Sequence, residues 1–258
     1  MTLGVVRALA GREFLRFIRQ PHRVLGSIGQ PLMFWVFLGG GLTPAFDAPG
    51  LGDVTYLEYF YPGVLVMMLL FASIFSSITL IEDRDAGFLQ GVMVAPVPRL
   101  AMVLGKVTGG GVIALVQALI LLLAAPLVGL MPGPTGILMV LAALVLSALG
   151  FTSLGFLVAW GMKSTSGFHA IMMVFLFPLW MLSGALFPLT TAPGWMYGIM
   201  LVNPVSHALT LIRGPFENAP ADLIAAPDYW IALAVVLAWV GLCLALGTRR
   251  VSRVERGV

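Results

Sequence analysis

Residues 82–106 read EDRDAGFLQGVMVAPVPRLAMVLGK, and this stretch decides how the rest of the chain divides. Glu82, Asp83, Arg84 and Asp85 put four charges in a row, and Gly87 turns the chain after them. Phe88, Leu89, Val92 and Met93 then recur at i, i+1, i+4 and i+5, an apolar stripe along one side of a helix. Ala95-Pro96-Val97-Pro98 ends that helix, because proline has no N–H and disfavours helical backbone in the residue before it. A helix of roughly ten residues rises about 15 Å. That is too short to cross a bilayer and too apolar on one face to stand free in water. Two readings follow: an interfacial connector between two membrane spans, or a docking element for a cytoplasmic partner.

On either side of this stretch the chain is solvated mostly by lipid. Of 258 residues 60% are hydrophobic and 10% charged, with a mean hydropathy of +1.02, whereas a soluble domain carries about 25% charged residues. The pattern predicts an all-α integral membrane protein, one transmembrane domain over 1–258, with six spans at 24–42, 60–81, 107–131, 136–161, 168–187 and 229–247. Each approaches or exceeds the ~20 apolar residues that a tilted helix needs for a ~30 Å hydrocarbon core. Residues 82–106 form the loop between spans two and three.

Residues 2–20 form a two-faced helix ahead of the first span. Arg12, Arg16, Arg19 and Arg23 cluster on one side, and Leu3, Val6, Ala10, Phe14 and Phe17 lie on the other. Such a helix is expected to lie in the membrane surface with its arginines on anionic lipid. Calmodulin-like or nucleic-acid binding is the rival reading, set aside because a span follows at once. The first twenty residues are too basic, and their apolar positions too interrupted, for a cleavable signal peptide.

The basic residues orient the protein. With the N-terminus in the cytoplasm, cytoplasmic segments hold thirteen of the fourteen Lys and Arg residues, and only Arg213 falls outside. Both termini are therefore expected in the cytoplasm. The external loop after span one carries Asp47, Asp53 and Glu58 and no basic residue.

Residues 188–228 are cut by Pro193, Gly194, Pro204, Pro215 and Pro220 into short apolar pieces. One holds Trp195 and Tyr197; the other runs from Val205 to Ile212 and ends at Arg213-Gly214-Pro215. Pieces of this length either dip into the outer leaflet and return, provided protein covers their ends, or form a surface loop. Trp195 and Tyr197 suit interfacial depth.

The spans carry little chemistry. No acidic residue falls inside a predicted membrane core, which argues against a carrier coupled through a membrane carboxylate. His22, His169 and His207 have no Cys or carboxylate at metal-ligand spacing, and Cys243 stands alone in an apolar run. An intramembrane serine hydrolase would need a glycine that the string around Ser183-Gly184 lacks. Gly105-Lys106 resembles the end of a phosphate-binding loop, but Leu100 and Val107 stand where that motif requires Gly and Ser or Thr. The chain is expected to hold no cofactor of its own and to draw energy from another subunit.

The charged stretch resembles that of type-2 ATP-binding-cassette transporter permeases, in the subgroup of nodulation-factor and anthracycline exporters. The matching residues are Asp83-Arg84, Gly87-Phe88-Leu89, Val94-Ala95-Pro96, Arg99 and Gly105-Lys106. A second set is Leu182-Ser183-Gly184, Phe187-Pro188-Leu189, Trp195, Asn203-Pro204 and Arg213-Gly214. The resemblance implies that the loop after span two is a coupling helix seated in a groove of an ABC ATPase subunit, and that residues 188–228 form a re-entrant hairpin. It also implies two permease halves, the second being another copy of this chain or a related paralogue, with two ATPase copies, ATP and Mg being bound by the ATPase and substrate passing between the halves. Gln90-Gly91 and Thr210 stand where family members often carry an acid.

These implications assign Asp83, Arg84, Asp85, Gly87, Phe88, Leu89 and Arg99 to docking, with the charges fixing register and Phe88 and Leu89 filling the partner's groove. Trp195, Asn203, Pro204 and Arg213 form the external motif, Arg213 pairing with Glu217, with another chain or with headgroups. Met67, Phe71, Phe75, Met173 and Phe177, soft side chains on spans two and five, are candidates for the substrate path or for plain packing. The expected function is the permease half of an exporter of amphiphilic or hydrophobic substrate at the cytoplasmic membrane. An ion-coupled carrier or channel and a transport-free membrane scaffold are the alternatives.

Overall fold

The computed structural model describes residues 2–43 and 54–255, apart from the side chains of Thr190 and of 253–255; Asp47, Asp53 and Arg256 lie outside the described residues. Among the described residues the fold is all-helical, and six helices are long and apolar enough to cross a membrane. In chain order the elements are α1 (Thr2–Ile18), α2 (Pro21–Leu42), α3 (Tyr56–Asp85), α4 (Phe88–Val94), α5 (Arg99–Leu122), α6 (Pro134–Gly161), α7 (Thr165–Ala185), α8 (Gly194–Val202), α9 (Pro204–Glu217), α10 (Pro220–Ala225) and α11 (Pro227–Glu255). The six spans are α2, α3, α5, α6, α7 and α11.

The bundle is built around α3. It opens with a capping box in which Thr55 and Glu58 satisfy each other's backbone N–H groups, and its hydrophobicity is spread around the helix, as suits a helix surrounded by others. Phe60, Tyr61, Val64, Leu65, Leu69 and Ile74 are wholly buried. Without a hydrophobic drive between helices in lipid, close approach depends on small residues. A Cβ on Gly63 would lie 2.8 Å from that of Ala185, and one on Gly155 of α6 would lie 2.6 Å from Ser77 Oγ and 2.9 Å from Ile74 Cα.

Gly155→Ala must therefore push α6 away from the backbone of α3, and should destabilise the protein by about 1–3 kcal/mol. Gly241→Ala on α11, where the new methyl meets nothing within 4 Å, is the control. Thermal unfolding of the two purified variants should separate them; equal melting temperatures would contradict the packing.

Helix boundaries differ from the sequence expectation in an instructive way. The second span, expected at 60–81, runs over Tyr56–Asp85 and takes in the four charges. The third, expected at 107–131, runs over Arg99–Leu122 and ends before a 3₁₀ turn at Ala125–Val128 and Gly129 at φ 74°. Charges were expected to mark the membrane edge, but Asp83 and Lys106 are neutralised by partners and buried, so neither interrupts its helix. The loop between the spans shrinks accordingly, and α4 has seven residues, not ten.

Span five is broken. After Trp180 the helix widens over Met181–Ala185, where Leu182 leaves helical geometry and Gly184 sits at φ 87°, a backbone that glycine adopts without a Cβ penalty. The pair α8 and α9 then bends through 81°. Helix α9 passes beyond the expected stop at Arg213-Gly214-Pro215 and ends at Glu217. Pro215 is held inside it by tight packing on Gly136, while Gly214 lies against Leu223 of α10.

Candidate functional site

Three constellations carry the polar chemistry of the bundle. The first lies at the end that bears the basic residues. Gly105 and Gly109 make a groove on α5 into which α1 settles, their Cα positions facing Leu9 and Glu13 of α1. This brings Glu13, 3% exposed, against Lys106, 6% exposed, with Nζ donating to Oε1 at 2.6 Å. Lys106 also donates to Asp83, 2% exposed. Arg12 grips Asp83 with two bonds of 2.8 Å, and Arg16 bridges Asp83 and Glu82 at 3.2 and 2.5 Å.

Three cations and three anions thus close on one another, so the cluster is neutral overall and its buried charges all have partners. The hydrogen bond to Asp83 raises the Arg12 guanidinium pKa above its ordinary value, outweighing the burial that lowers it. Arg12 stays charged throughout the physiological range. The expectation that Arg12 and Arg16 face lipid is corrected: both are held by carboxylates of α3, and Arg7 and Arg19 are the arginines of the N-terminal segment left exposed.

Glu13 and Lys106 were not read as site residues. A signal was present, since Glu13 is the sole acid in residues 2–20 and sits between Arg12 and Arg16. An acid in the basic stripe of a lipid-facing helix has no purpose unless that stripe meets protein.

The residues assigned to docking divide into two groups. Asp83 is inside the cluster. Arg84 reaches the far side of α3, donating to the carbonyls of Met162 and Trp160 at 2.8 and 2.7 Å with its guanidinium over the Trp160 ring. Phe88 lies beneath Arg12, 3.8 Å from guanidinium carbon to ring centre, and Leu89 is 1% exposed in the chain's own core. Arg99 bonds the Met93 carbonyl at 2.9 Å.

The assignment of Asp83 and Leu89 to a partner surface is therefore corrected, and Arg84 and Phe88 are engaged within the chain. The stripe on α4 packs inward, with Leu89 in the buried core and Phe88, Val92 and Met93 against it, and the helix lies on the end of α3. Gly87 at φ 74° sets the turn into α4. What faces outward is Asp85, Gln90, Gly91 and Val94, the last 87% exposed.

The second constellation is a cleft of about 760 Å³ between α1, α2, α3, α5 and α7. Met67, Phe71, Phe75 and Phe177 line it. Met173 is not among the residues lining this cleft and is exposed; it lies four residues from both His169 and Phe177, on the same side of α7. Phe34 adds an aromatic wall, edge-on to Phe177 and Trp180 at 6.4 and 6.2 Å.

The third lies at the opposite end, where the break in α7 frees backbone carbonyls that have no water to turn to inside a membrane. Asn203, 5% exposed, donates to Leu179 O at 2.6 Å and Leu182 O at 2.9 Å while its own oxygen caps α9 at Val205 N. Pro204 takes the first helical position, where a missing N–H costs nothing. Gly184 O accepts from Tyr59 Oη at 2.8 Å and from Arg213 at 3.1 Å, and Arg213 also bonds Tyr59 O at 3.3 Å.

Arg213 Nε lies 3.6 Å from Glu217, the pairing foreseen within the chain. Trp195 stands apart from this cradle, 67% exposed. Ser183 is buried and donates to Trp180 O at 2.6 Å, filling the break in place of an attacking hydroxyl.

Comparison with known proteins gives this geometry a context. A family model described as ABC-2 type transporter matches residues 4–216. A protein of Cyanophora paradoxa named as the transport permease ycf38 is 32% identical over 215 residues, covering 82% of this chain and 73% of its own. The daunorubicin resistance ABC transporter permease protein DrrB1 of Streptomyces coeruleorubidus is 27% identical, covering 78% of this chain and 71% of its own. A Mycobacterium tuberculosis protein named as a doxorubicin resistance ABC transporter permease, DrrC, is 25% identical over 252 residues, covering 93% and 87%.

Proposed function

From the premise that this chain belongs to the ABC-2 type transporter family, we propose that it is the permease half of an ATP-driven exporter of amphiphilic or hydrophobic substrate. It works in the cytoplasmic membrane with both termini inside. Two copies pair with two ABC ATPase subunits, which bind the ATP and Mg, and substrate crosses between the permease halves. The naming of two relatives for daunorubicin and doxorubicin resistance supports the direction and the apolar substrate class.

The observation that carries the reading is the form of α4. It is a short helix set off by Gly87 on one side and Pro96 and Pro98 on the other, and it is bound to α1 and α3 through Phe88 and Leu89. A helix anchored in this way transmits a push to the spans as a lever rather than absorbing it. Its outer face, Gln90, Gly91 and Val94, together with Asp85 at the end of α3, is the surface we assign to the ATPase.

The test is co-purification of the ATPase subunit on a tagged permease. Val94→Glu with Gln90→Glu should release most of the ATPase while changing the permease's stability by no more than about 0.5 kcal/mol, as surface changes do. Retention equal to wild type would refute docking through this face. The buried cluster of Glu13, Asp83 and Lys106 favours one other reading, an ion-coupled carrier. In that case transport would persist without any ATPase.

A further inference from the structure

The cleft has a polarity gradient that the exporter reading leaves unused. Gln20, His22 and Arg23, where α2 begins, and Thr165, Ser166 and His169, where α7 begins, surround its mouth. Glu13, Arg16 and Glu82 also border it, but they belong to the closed cluster and compensate one another. Arg23 has no carboxylate partner among the described residues; its guanidinium donates to Gln20 Oε1 at 3.1 Å. The uncompensated charge at the mouth is therefore positive.

Further in, the walls become aromatic and sulfur-bearing. Phe71 and Phe75 lie 5.8 Å apart, and Phe75 stacks on His169 at 4.9 Å. At the inner end stands Gln117 of α5, 1% exposed, with Oε1 lacking a hydrogen-bond partner among the described residues. A buried amide oxygen left unpaired is unfavourable, and a functional group of a ligand is one way to satisfy it. From the level of Glu82 to that of Met67, both lining the cleft, the helix rises about 22 Å at ~1.5 Å per residue. The volume of about 760 Å³ falls within the ~300–1,000 Å³ of small-molecule sites.

We infer that this cleft binds an amphiphile with an acidic head, and the inference rests on the reading of the chain as an exporter half. The head, a carboxylate or phosphate, sits at the mouth against Arg23 with the hydroxyls of Thr165 and Ser166 beside it. The apolar body lies along Phe71, Phe75 and Phe177, and a hydroxyl or N–H within that body donates to Gln117. A cationic amphiphile meets Arg23 as a like charge at the entrance and is disfavoured, although the aromatic walls alone would accept it.

The experiment uses the purified permease in phosphatidylcholine nanodiscs and dansylaminoundecanoic acid, read by energy transfer from tryptophan to dansyl, with its methyl ester as the uncharged comparison. Wild type should bind the acid about tenfold more tightly than the ester, the scale of one charge-assisted contact. Arg23→Glu should remove that preference. Arg19→Glu, the same charge change at an exposed position outside the cleft, should keep it. Gln117→Leu should weaken both probes while raising the melting temperature, a divergence that a purely structural role of Gln117 would not give.

Equal binding of acid and ester by wild type, or equal loss in Arg19→Glu and Arg23→Glu, overturns the inference. Co-purification of the ATPase is read separately. A permease that prefers the acid yet never retains an ATPase keeps this site and removes the exporter reading. One that retains the ATPase without discriminating acid from ester does the reverse.

Discussion

Lys106→Met should destabilise the folded permease by about 3–5 kcal/mol, the cost of removing one partner from a buried ionic group. Methionine keeps most of the length and apolar stem of lysine, so packing in the Gly105–Gly109 groove survives and the loss is electrostatic. Without the ammonium, Glu13 and Asp83 remain buried at 3% and 2% exposure. Arg12, already bonded to both, is left to neutralise them with help from Arg16.

A second substitution distinguishes charge from shape. Glu13→Gln added to Lys106→Met removes the stranded carboxylate and should recover more than half of the loss, a non-additivity expected of groups in one network. Thermal unfolding in nanodiscs measures both, with exposed Arg19→Met as the unchanged control. A Lys106→Met variant that melts with wild type would show that the cluster is not closed in the membrane. The same change should also loosen α1 from α5, read as faster hydrogen exchange in residues 2–18.

Asn203→Asp should be nearly as damaging, and it is the sharper test of the opposite end. The two side chains have the same shape, and aspartate still accepts from Val205 N, so the cap on α9 remains. What disappears is donation. Leu179 O and Leu182 O, met by Asn203 at 2.6 and 2.9 Å, would face a carboxylate. Leu182 O keeps only the long bond from Ser206 Oγ and Leu179 O is abandoned; an abandoned buried carbonyl costs about 1–3 kcal/mol, and the ionised acid adds repulsion.

Asn203→Ser keeps a short capping oxygen and one donor and should fall between aspartate and wild type. Because Ser206 Oγ lies 3.4 Å from Leu182 O, that carbonyl retains a weak donor and Leu179 O is the one stranded. Melting temperatures in the order wild type, serine, aspartate are expected. Aspartate equal to wild type would mean that the break at Met181–Ala185 does not need Asn203 at all.

The two ends of the molecule were legible to different degrees. The proline and glycine breaks of residues 188–228 were visible as breaks, whereas Asn203 entered only as part of the external motif, and its capping of α9 came from the structure. That Arg213 would reach back to Gly184 was not visible, because the two are 29 residues apart and nothing in either local sequence names the other. The stripe Phe88, Leu89, Val92 and Met93 was read correctly as one face of a helix. Its direction was not, since periodicity gives a face without saying whether the chain's own core or a partner covers it.

Local hydropathy, helix period and proline or glycine punctuation determined that this chain is a helical membrane protein with six spans, a leading amphipathic helix and a short helix between spans two and three. Each of those properties is a sum over neighbouring residues. The tertiary structure alone decided which charges are neutral. Arg12 and Asp83 stand 71 residues apart, and they meet because glycines at 105 and 109 let α1 lie on α5 within side-chain reach of α3. A lone charge reads as a membrane boundary. The same charge, paired in three dimensions, is part of the core.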